Sequence, residues 1–290
     1  MADSSKIEFT DSLRGKDNPI VTTDQLKAGI NLTPNRMNGN EVRQISESQV
    51  LKVGWRVKMS EAEALILLAA KTDIPVPKVF SAYTIGDIGF ILMSKVEGEI
   101  LGSCFDNLSL EERNSIILQL ESYVLEWRKL GSSFLGSAHG GPCEDILFKH
   151  PWDANAPPKP YGPFYSLEEY KLGVIEALRL SRPDGVWGEM EEDLKKKILH
   201  FKNESSANLG VMTHGDLNPG NIIVRKGVVS GIVDWAESGY SLPEREFFAA
   251  RRIAIDEDWI ETIPHFIPSF PREFDLWDEV DRSMRIYSPV

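Results

Sequence analysis

Residues 213–224 read Thr213-His214-Gly215-Asp216-Leu217-Asn218-Pro219-Gly220-Asn221-Ile222-Ile223-Val224, and this stretch decides the fold. Asp216 and Asn221 stand five apart across a Pro-Gly pair, too tightly bent for a helix. Beyond them, Ile222–Val224 and Val229–Val233 flank Lys226-Gly227, which predicts a two-stranded hairpin with a tight turn. Folded about Gly227 and Val228, that hairpin brings Asn221 opposite Asp234, and paired residues on antiparallel strands have Cα atoms about 4.5–5.5 Å apart. The carboxylates of Asp216 and Asp234 and the amide oxygen of Asn221 are then expected to converge at one end of the hairpin. Oxygen donors of this kind suit Mg²⁺, which retains waters and shares its coordination with substrate phosphates. A single Asp in such a turn commonly bonds its own backbone. The whole string, with Asp234 at the matching distance, points to chemistry instead.

His-Gly-Asp-Leu-x-x-x-Asn followed by Val233-Asp234-Trp235 resembles the catalytic loop and metal motif of the aminoglycoside phosphotransferase and choline kinase family, where His-Gly-Asp stands for the His-Arg-Asp of protein kinases. The likeness continues in Glu61-Ala62-Glu63-Ala64-Leu65 with Ile74-Pro75-Val76-Pro77-Lys78-Val79, a pairing of fungal and bacterial members that makes this chain look like a fungal-type one. Ile91-Leu92-Met93 with Glu97-Gly98 and Gly162-Pro163-Phe164 extend it across roughly residues 45–250. The resemblance implies an α+β, two-lobed, protein-kinase-like fold. It implies that Asp216 orients or deprotonates an attacking hydroxyl, that Asn221 and Asp234 hold Mg²⁺ across the β- and γ-phosphates, and that His214 braces the loop. Lys52 is implied to reach the α- and β-phosphates of ATP, or of GTP, which the motifs do not distinguish. Met93 and Val96 are implied to line the nucleotide site. Phosphoryl transfer needs positioning and charge neutralisation, so few residues are required.

Lys52 lies in Val50-Leu51-Lys52-Val53, a charge inside an apolar strand, where an exposed lysine snorkelling to water is the plainer alternative. By the resemblance it pairs with a Glu on the following helix. Glu61 shares a face with Leu65 and Leu68, so it points toward the packed side. Glu63 sits three residues after Ser60, the spacing of a capping box. Glu61 is therefore the expected partner, and losing Glu63 should matter much less to nucleotide binding. The glycine-poor stretch between Asn31 and Lys52 departs from the usual phosphate-covering hairpin, with Gly39 alone in it. In Asp234-Trp235-Ala236-Glu237 the acidic residue after Trp is displaced by one from the family pattern. Glu237, Glu244 and Glu246 are candidates to meet an ammonium group, although Glu244 and Glu246 also suit a helix first turn. Tyr161, Phe164 and Tyr165 read more simply as pins for a long loop than as a wall for a cation.

Outward from the motif, residues 1–95 form the expected nucleotide-binding lobe and 96–290 a helical lobe with the catalytic loop and acceptor site. Residues 1–40 are polar, with turns at Asp17-Asn18-Pro19 and Met37–Asn40, and are expected to be partly loose. Val42–Ile45 with Gln49–Val53, Lys78–Tyr83 and Gly89–Met93 read as strands, and Ser60 to Lys71 as a helix. Ser109–Leu130, Ser166–Leu180, Glu189–Phe201 and Glu244–Asp256 read as helices. Gly131–Pro163, including Ala156-Pro157-Pro158-Lys159-Pro160, reads as a long loop.

The 290 residues carry 44 acidic against 32 basic side chains, a net charge of -12, which disfavours nucleic acid. That charge suits a small cationic acceptor, but also plain solubility. Two cysteines make no disulfide framework, and no apolar run approaches the roughly 20 residues of a membrane span, so a cytoplasmic protein is expected. The reading is an ATP- and Mg²⁺-dependent phosphotransferase acting on a hydroxyl of a small, amine-bearing or aminoglycoside-like acceptor. The alternatives are a non-catalytic kinase-like protein that binds a nucleotide or partner, and a fold repurposed for a biosynthetic step.

Overall fold

The computed structural model describes residues 6–34, 39–151, 159–202 and 208–287, with Asp184 described by its backbone only. Met37 and Asn38 of one expected turn, and Ala156–Pro158 of the proline run, lie outside these residues. The fold is α+β, with a β-rich N-terminal region and a helical C-terminal region. Packing gathers the chain into two units, Met1–Ile116 with Pro219–Ala236 and Ile117–Asn218 with Glu237–Val290, where the sequence suggested one break between 95 and 96. The hairpin that carries Asn221 and Asp234 therefore belongs to the first unit. Its strand pairs with residues just past the expected break, which a linear reading cannot show.

The first unit contains β1 (Ile7–Phe9), α1 (Thr23–Ala28), β2 (Ile30–Asn31), β3 (Asn40–Gln44), β4 (Gln49–Gly54), α2 (Met59–Lys71), β5 (Val79–Ile85) and β6 (Ile88–Ser94). Strands β1 to β6 form one antiparallel sheet in the order β1-β5-β6-β4-β3-β2. Residues 6–34, expected to be partly loose, supply two of these strands and a helix capped by Thr22 and Gln25. Helix α2 packs on β5 and β6 through buried Ala62, Leu65 and Leu68. Its N-cap is Lys58, without a side-chain cap, so the expected capping box of Ser60 and Glu63 does not form. The helix starts at Met59, one residue before Ser60, and Glu63 is engaged elsewhere. After α2, Ile74–Pro77 runs extended, as each proline requires of the residue before it.

Then come β7 (Glu99–Ile100), α3 (Leu101–Cys104) and α4 (Leu110–Trp127), the last crossing from one unit to the other. Ser109 and Glu112 cap α4 reciprocally. The hairpin that carries Asn221 and Asp234 is described below with the site. In the second unit β8 (Gly131–Ser132) and β9 (Gly210–Thr213) pair, and β9 is a strand the sequence reading did not separate from the loop after it. Helices α5 (Leu167–Leu180) and α6 (Glu189–His200) follow the expected spans, Ser166 accepting the Glu169 amide as N-cap. Buried Tyr170, Val174, Leu194, Ile198 and Trp277 belong to this unit's apolar core. No helix among the described residues is long and apolar enough to cross a membrane.

Candidate active site

The hairpin comprises β10 (Ile222–Arg225) and β11 (Val228–Ile232), with β7 on the free side of β10. Arg225 pairs with Val228, so the turn is Lys226-Gly227 as the sequence marks, and the chain pivots one residue before the Gly227 and Val228 from which the register was expected. Both have positive φ, 53° and 71°, as a tight hairpin turn of this hand requires. A register shift then leaves Ser230 as an extra residue, and Ile222 faces Ile232. Consequently the Val233 amide donates to the Asn221 carbonyl at 2.9 Å, and Asn221 stands opposite Val233 rather than Asp234. The bulge, invisible in composition, accounts for the difference. Asp234 follows with φ of 62°, a left-handed conformation uncommon outside glycine, and the chain turns out of the strand there. Trp235 anchors that turn, fully buried and donating to the Ile232 carbonyl. The extended Pro75 carbonyl accepts from Ile232, tying β11 to the segment after α2.

Lys52 Nζ donates to Glu61 Oε1 and Oε2 at 2.8 and 2.7 Å and to Asp234 Oδ1 at 2.6 Å. Lys52 and Glu61 are 4% and 1% exposed. Burial works against the Lys52 charge, but the Glu61 and Asp234 carboxylates outweigh it, so its pKa ends above the ordinary 10.5. One cation thus meets two carboxylates. Asn221 is buried beside this end of the hairpin. An amide oxygen and a carboxylate, both oxygen donors, fit Mg²⁺, which needs few protein ligands when phosphates complete its shell. Met93 is buried on β6 between Val50 and Val79, while half-buried Val96 packs against Gly231, leaving no room there for a Cβ.

In the second unit the His214-Gly215-Asp216 loop follows β9. His214 is fully buried, and its Nδ1 accepts the Asp216 amide at 3.1 Å, which puts the ring proton of a neutral imidazole on Nε2. Gly215 has φ of 82°, and a Cβ would lie 2.5 Å from the Glu237 carbonyl, so the position needs glycine. Asn218 Nδ2 donates to Asp216 Oδ1 at 3.0 Å and to the Asp216 carbonyl at 3.1 Å, orienting the half-buried carboxylate. The sequence reading passed over Asn218, although two-residue Asp/Asn spacing is an ordinary turn signal.

Strand β12 (Gly239–Ser241) pairs with β9, and helix α7 (Arg245–Ile253) follows with Glu244 as N-cap. Glu246, on its first turn, is 0% exposed and accepts the amides of His214 at 2.7 Å and Gly215 at 3.3 Å. It braces the loop from behind and is sequestered from any ammonium-bearing ligand. Glu244 is buried too, accepts the Trp277 indole N–H at 3.0 Å, and is held above its ordinary pKa by burial. Nearby Arg128, whose own pKa burial lowers, supplies compensating positive charge to Glu246 and Glu244. Glu237 is paired with Lys149 at 3.0 Å, and burial, with Asp216 and Asp145 nearby, raises its pKa. Arg245 forms a buried two-pronged pair with Asp145, with no local sequence signal to announce it. Tyr161 stacks on Phe148 at 4.8 Å and Phe164 packs edge-on to Tyr170, so these two rings pin the long loop, while Tyr165 stays exposed.

The family model described as "Phosphotransferase enzyme family" (APH) matches residues 54–267, more than half of the chain. No curated protein matches the sequence. Among solved structures, the streptomycin–ATP–APH(2″)-IIa ternary complex is similar at 16% identity and a TM-score of 0.58, over 92% of this chain and 89% of that one. ADP-bound aminoglycoside phosphotransferase APH(2″)-Ib aligns at 15% identity and a TM-score of 0.58, over 92% of each chain. The aminoglycoside-3′-phosphotransferase of type VIII aligns at 14% identity and 0.55, over 90% of this chain and 98% of that one. At such identities the likeness is one of fold.

Proposed function

We propose that this chain, which belongs to the phosphotransferase enzyme family, is an ATP- and Mg²⁺-dependent kinase that transfers the γ-phosphoryl group to a hydroxyl of a small molecule. The observation that carries the reading is the buried Lys52 ammonium held by Glu61 and Asp234. A buried ion pair in mid-strand adds little net stability over an apolar replacement. A lysine–glutamate pair beside an Asp placed for a metal is the arrangement that kinase-type phosphoryl transfer uses.

In this reading Lys52 contacts the α- and β-phosphates, with Met93 and Val96 lining the nucleotide site. Asn221 and Asp234 would hold Mg²⁺, which supplies charge neutralisation at the β- and γ-phosphates when bound. Asp216, oriented by Asn218, accepts the proton of the acceptor hydroxyl as its oxygen bonds to the γ-phosphorus and ADP leaves. ATP is the expected donor because nucleotide complexes of the similar structures contain ATP or ADP, and GTP is a second arm of the assay. Similar structures are complexes with streptomycin and gentamicin, so amine-bearing acceptors head the trial set. A cytoplasmic setting agrees with an ATP-dependent reaction.

The test is Mg²⁺-dependent ADP release against a panel of hydroxyl compounds, aminoglycosides included, with chelator as a control. Asp216→Asn is expected to lower turnover about 10²–10⁴-fold, the usual worth of a general base, while Mg·ATP affinity holds. ATP binding without transfer to any acceptor would favour the non-catalytic kinase-like alternative.

A further inference from the structure

Glu63 was expected to cap its own helix, yet it reaches away from it. Glu63 Oε1 accepts Thr10 Oγ1 at 2.5 Å and the Ser12 amide at 2.9 Å, and Oε2 accepts the Ser12 hydroxyl. The carboxylate is 6% exposed and Thr10 also 6%. The three donors belong to a strap, residues 7–13, that is sewn down independently. Strand β1 pairs with β5, the Thr10 amide donates to the Ala82 carbonyl at 3.0 Å, and Phe9 packs edge-on to Tyr83. Leu13 is buried at its end, where a single 3₁₀ turn packs against α2.

Two residues along a helix are separated by about 200° around its axis. Glu61 and Glu63 therefore leave α2 on nearly opposite sides, one toward Lys52 and the other toward the strap. The N-cap residue Lys58 makes no side-chain capping bond, and the two buried carboxylates hold the first two turns of α2 from both flanks. With one grip released, the turn is free to shift and the geometry at the other changes with it.

We infer that the N-terminal strap, through Thr10, Ser12 and Glu63, positions Glu61 against Lys52 and so sets nucleotide affinity from outside the nucleotide site. The functional half of this statement rests on the proposed role of Lys52. Thr10, Ser12 and Glu63 are positioning residues, acting through Glu61.

The test uses the full chain carrying Thr10→Val with Ser12→Ala, and separately Glu63→Gln, each held well below its melting temperature. Two quantities are measured: Mg·ATP affinity by calorimetry, and the rate of Lys52 acetylation by acetic anhydride, read by mass spectrometry. Both variants are expected to weaken Mg·ATP binding about tenfold, equivalent to about 1.4 kcal/mol, and to speed Lys52 labelling by a similar factor. A strap that merely adds stability lowers the melting temperature and leaves both quantities at wild-type values, and that result overturns the inference. If wild-type protein binds no Mg·ATP while the variants still expose Lys52, the positioning by the strap stands and the nucleotide reading falls. Wild-type binding with unchanged labelling and affinity in the variants spares the nucleotide reading and removes the strap.

Discussion

The Lys52 cluster and the His214–Asn218 loop are both built around carboxylates, yet they are held in opposite ways. In the first unit a side-chain cation satisfies two side-chain anions, Glu61 and Asp234. In the second, the Glu246 carboxylate is satisfied by main-chain amides of His214 and Gly215. A side-chain partner can be exchanged for a phosphate or a metal when one arrives. A main-chain partner cannot leave without unfolding the loop. On the proposed function, exchangeable charge lies where an anionic substrate would be met, and fixed main-chain hydrogen bonds lie where the Asp216 carboxylate would be aimed.

Breaking the exchangeable side should have the larger cost. Lys52→Met leaves Glu61 buried without its cation and is expected to destabilise the protein by about 3–5 kcal/mol in urea unfolding. Adding Glu61→Leu should recover most of that loss, since an apolar pair replaces an ionic one, while nucleotide binding stays absent. If the double variant bound Mg·ATP like wild type, the cluster would be structural and the contrast would collapse.

On the immobile side, Glu246→Ala strands the buried His214 amide and the half-buried Gly215 amide and is expected to cost about 1–3 kcal/mol. Turnover should fall with it, whereas Mg·ATP affinity measured by calorimetry should hold. A loss of nucleotide affinity equal to that of Lys52→Met would show that the two regions are not separable.

The smallest effect is that of pH. Because the folded pKa of Lys52 lies above its ordinary 10.5, its contribution is fully present below that value and is lost only as pH rises through the higher folded one. The contribution of Lys52 to the unfolding free energy should therefore stay constant between about pH 6 and 9. A difference between wild type and Lys52→Met that shrank across this window would contradict the buried, doubly paired ammonium.

How far each element was legible depends on the range of the forces that set it. The helices at Leu110–Trp127 and Leu167–Leu180 were readable because Ser109 and Ser166 cap them locally and their apolar faces repeat every three to four residues. The hairpin was readable from Lys226-Gly227, but its register was not, because one bulged residue at Ser230 is decided by how β10 and β11 meet. Glu63 was misread for a related reason. Capping-box spacing is a local signal, and the donors that captured the carboxylate lie about fifty residues upstream, at Thr10 and Ser12. Helices α8 (Glu257–Thr262) and α9 (Pro271–Arg285) carry local marks, Asp256 as N-cap and Pro271 at the first turn, that the sequence reading left unused.

The sequence by itself determined the chemistry available to this protein: a His-Gly-Asp loop, an Asn and an Asp on either side of a hairpin, and a lone lysine in an apolar strand. Those are matters of residue type and spacing, which are fixed along the chain. Only the tertiary structure decided the partners. Lys52 meets Asp234 across 182 positions of sequence, Glu246 turns inward to hold the loop, and Glu63 is taken by the N-terminal strap. A buried carboxylate goes to whichever donors the packed fold brings within hydrogen-bonding distance, and that distance is a property of the fold.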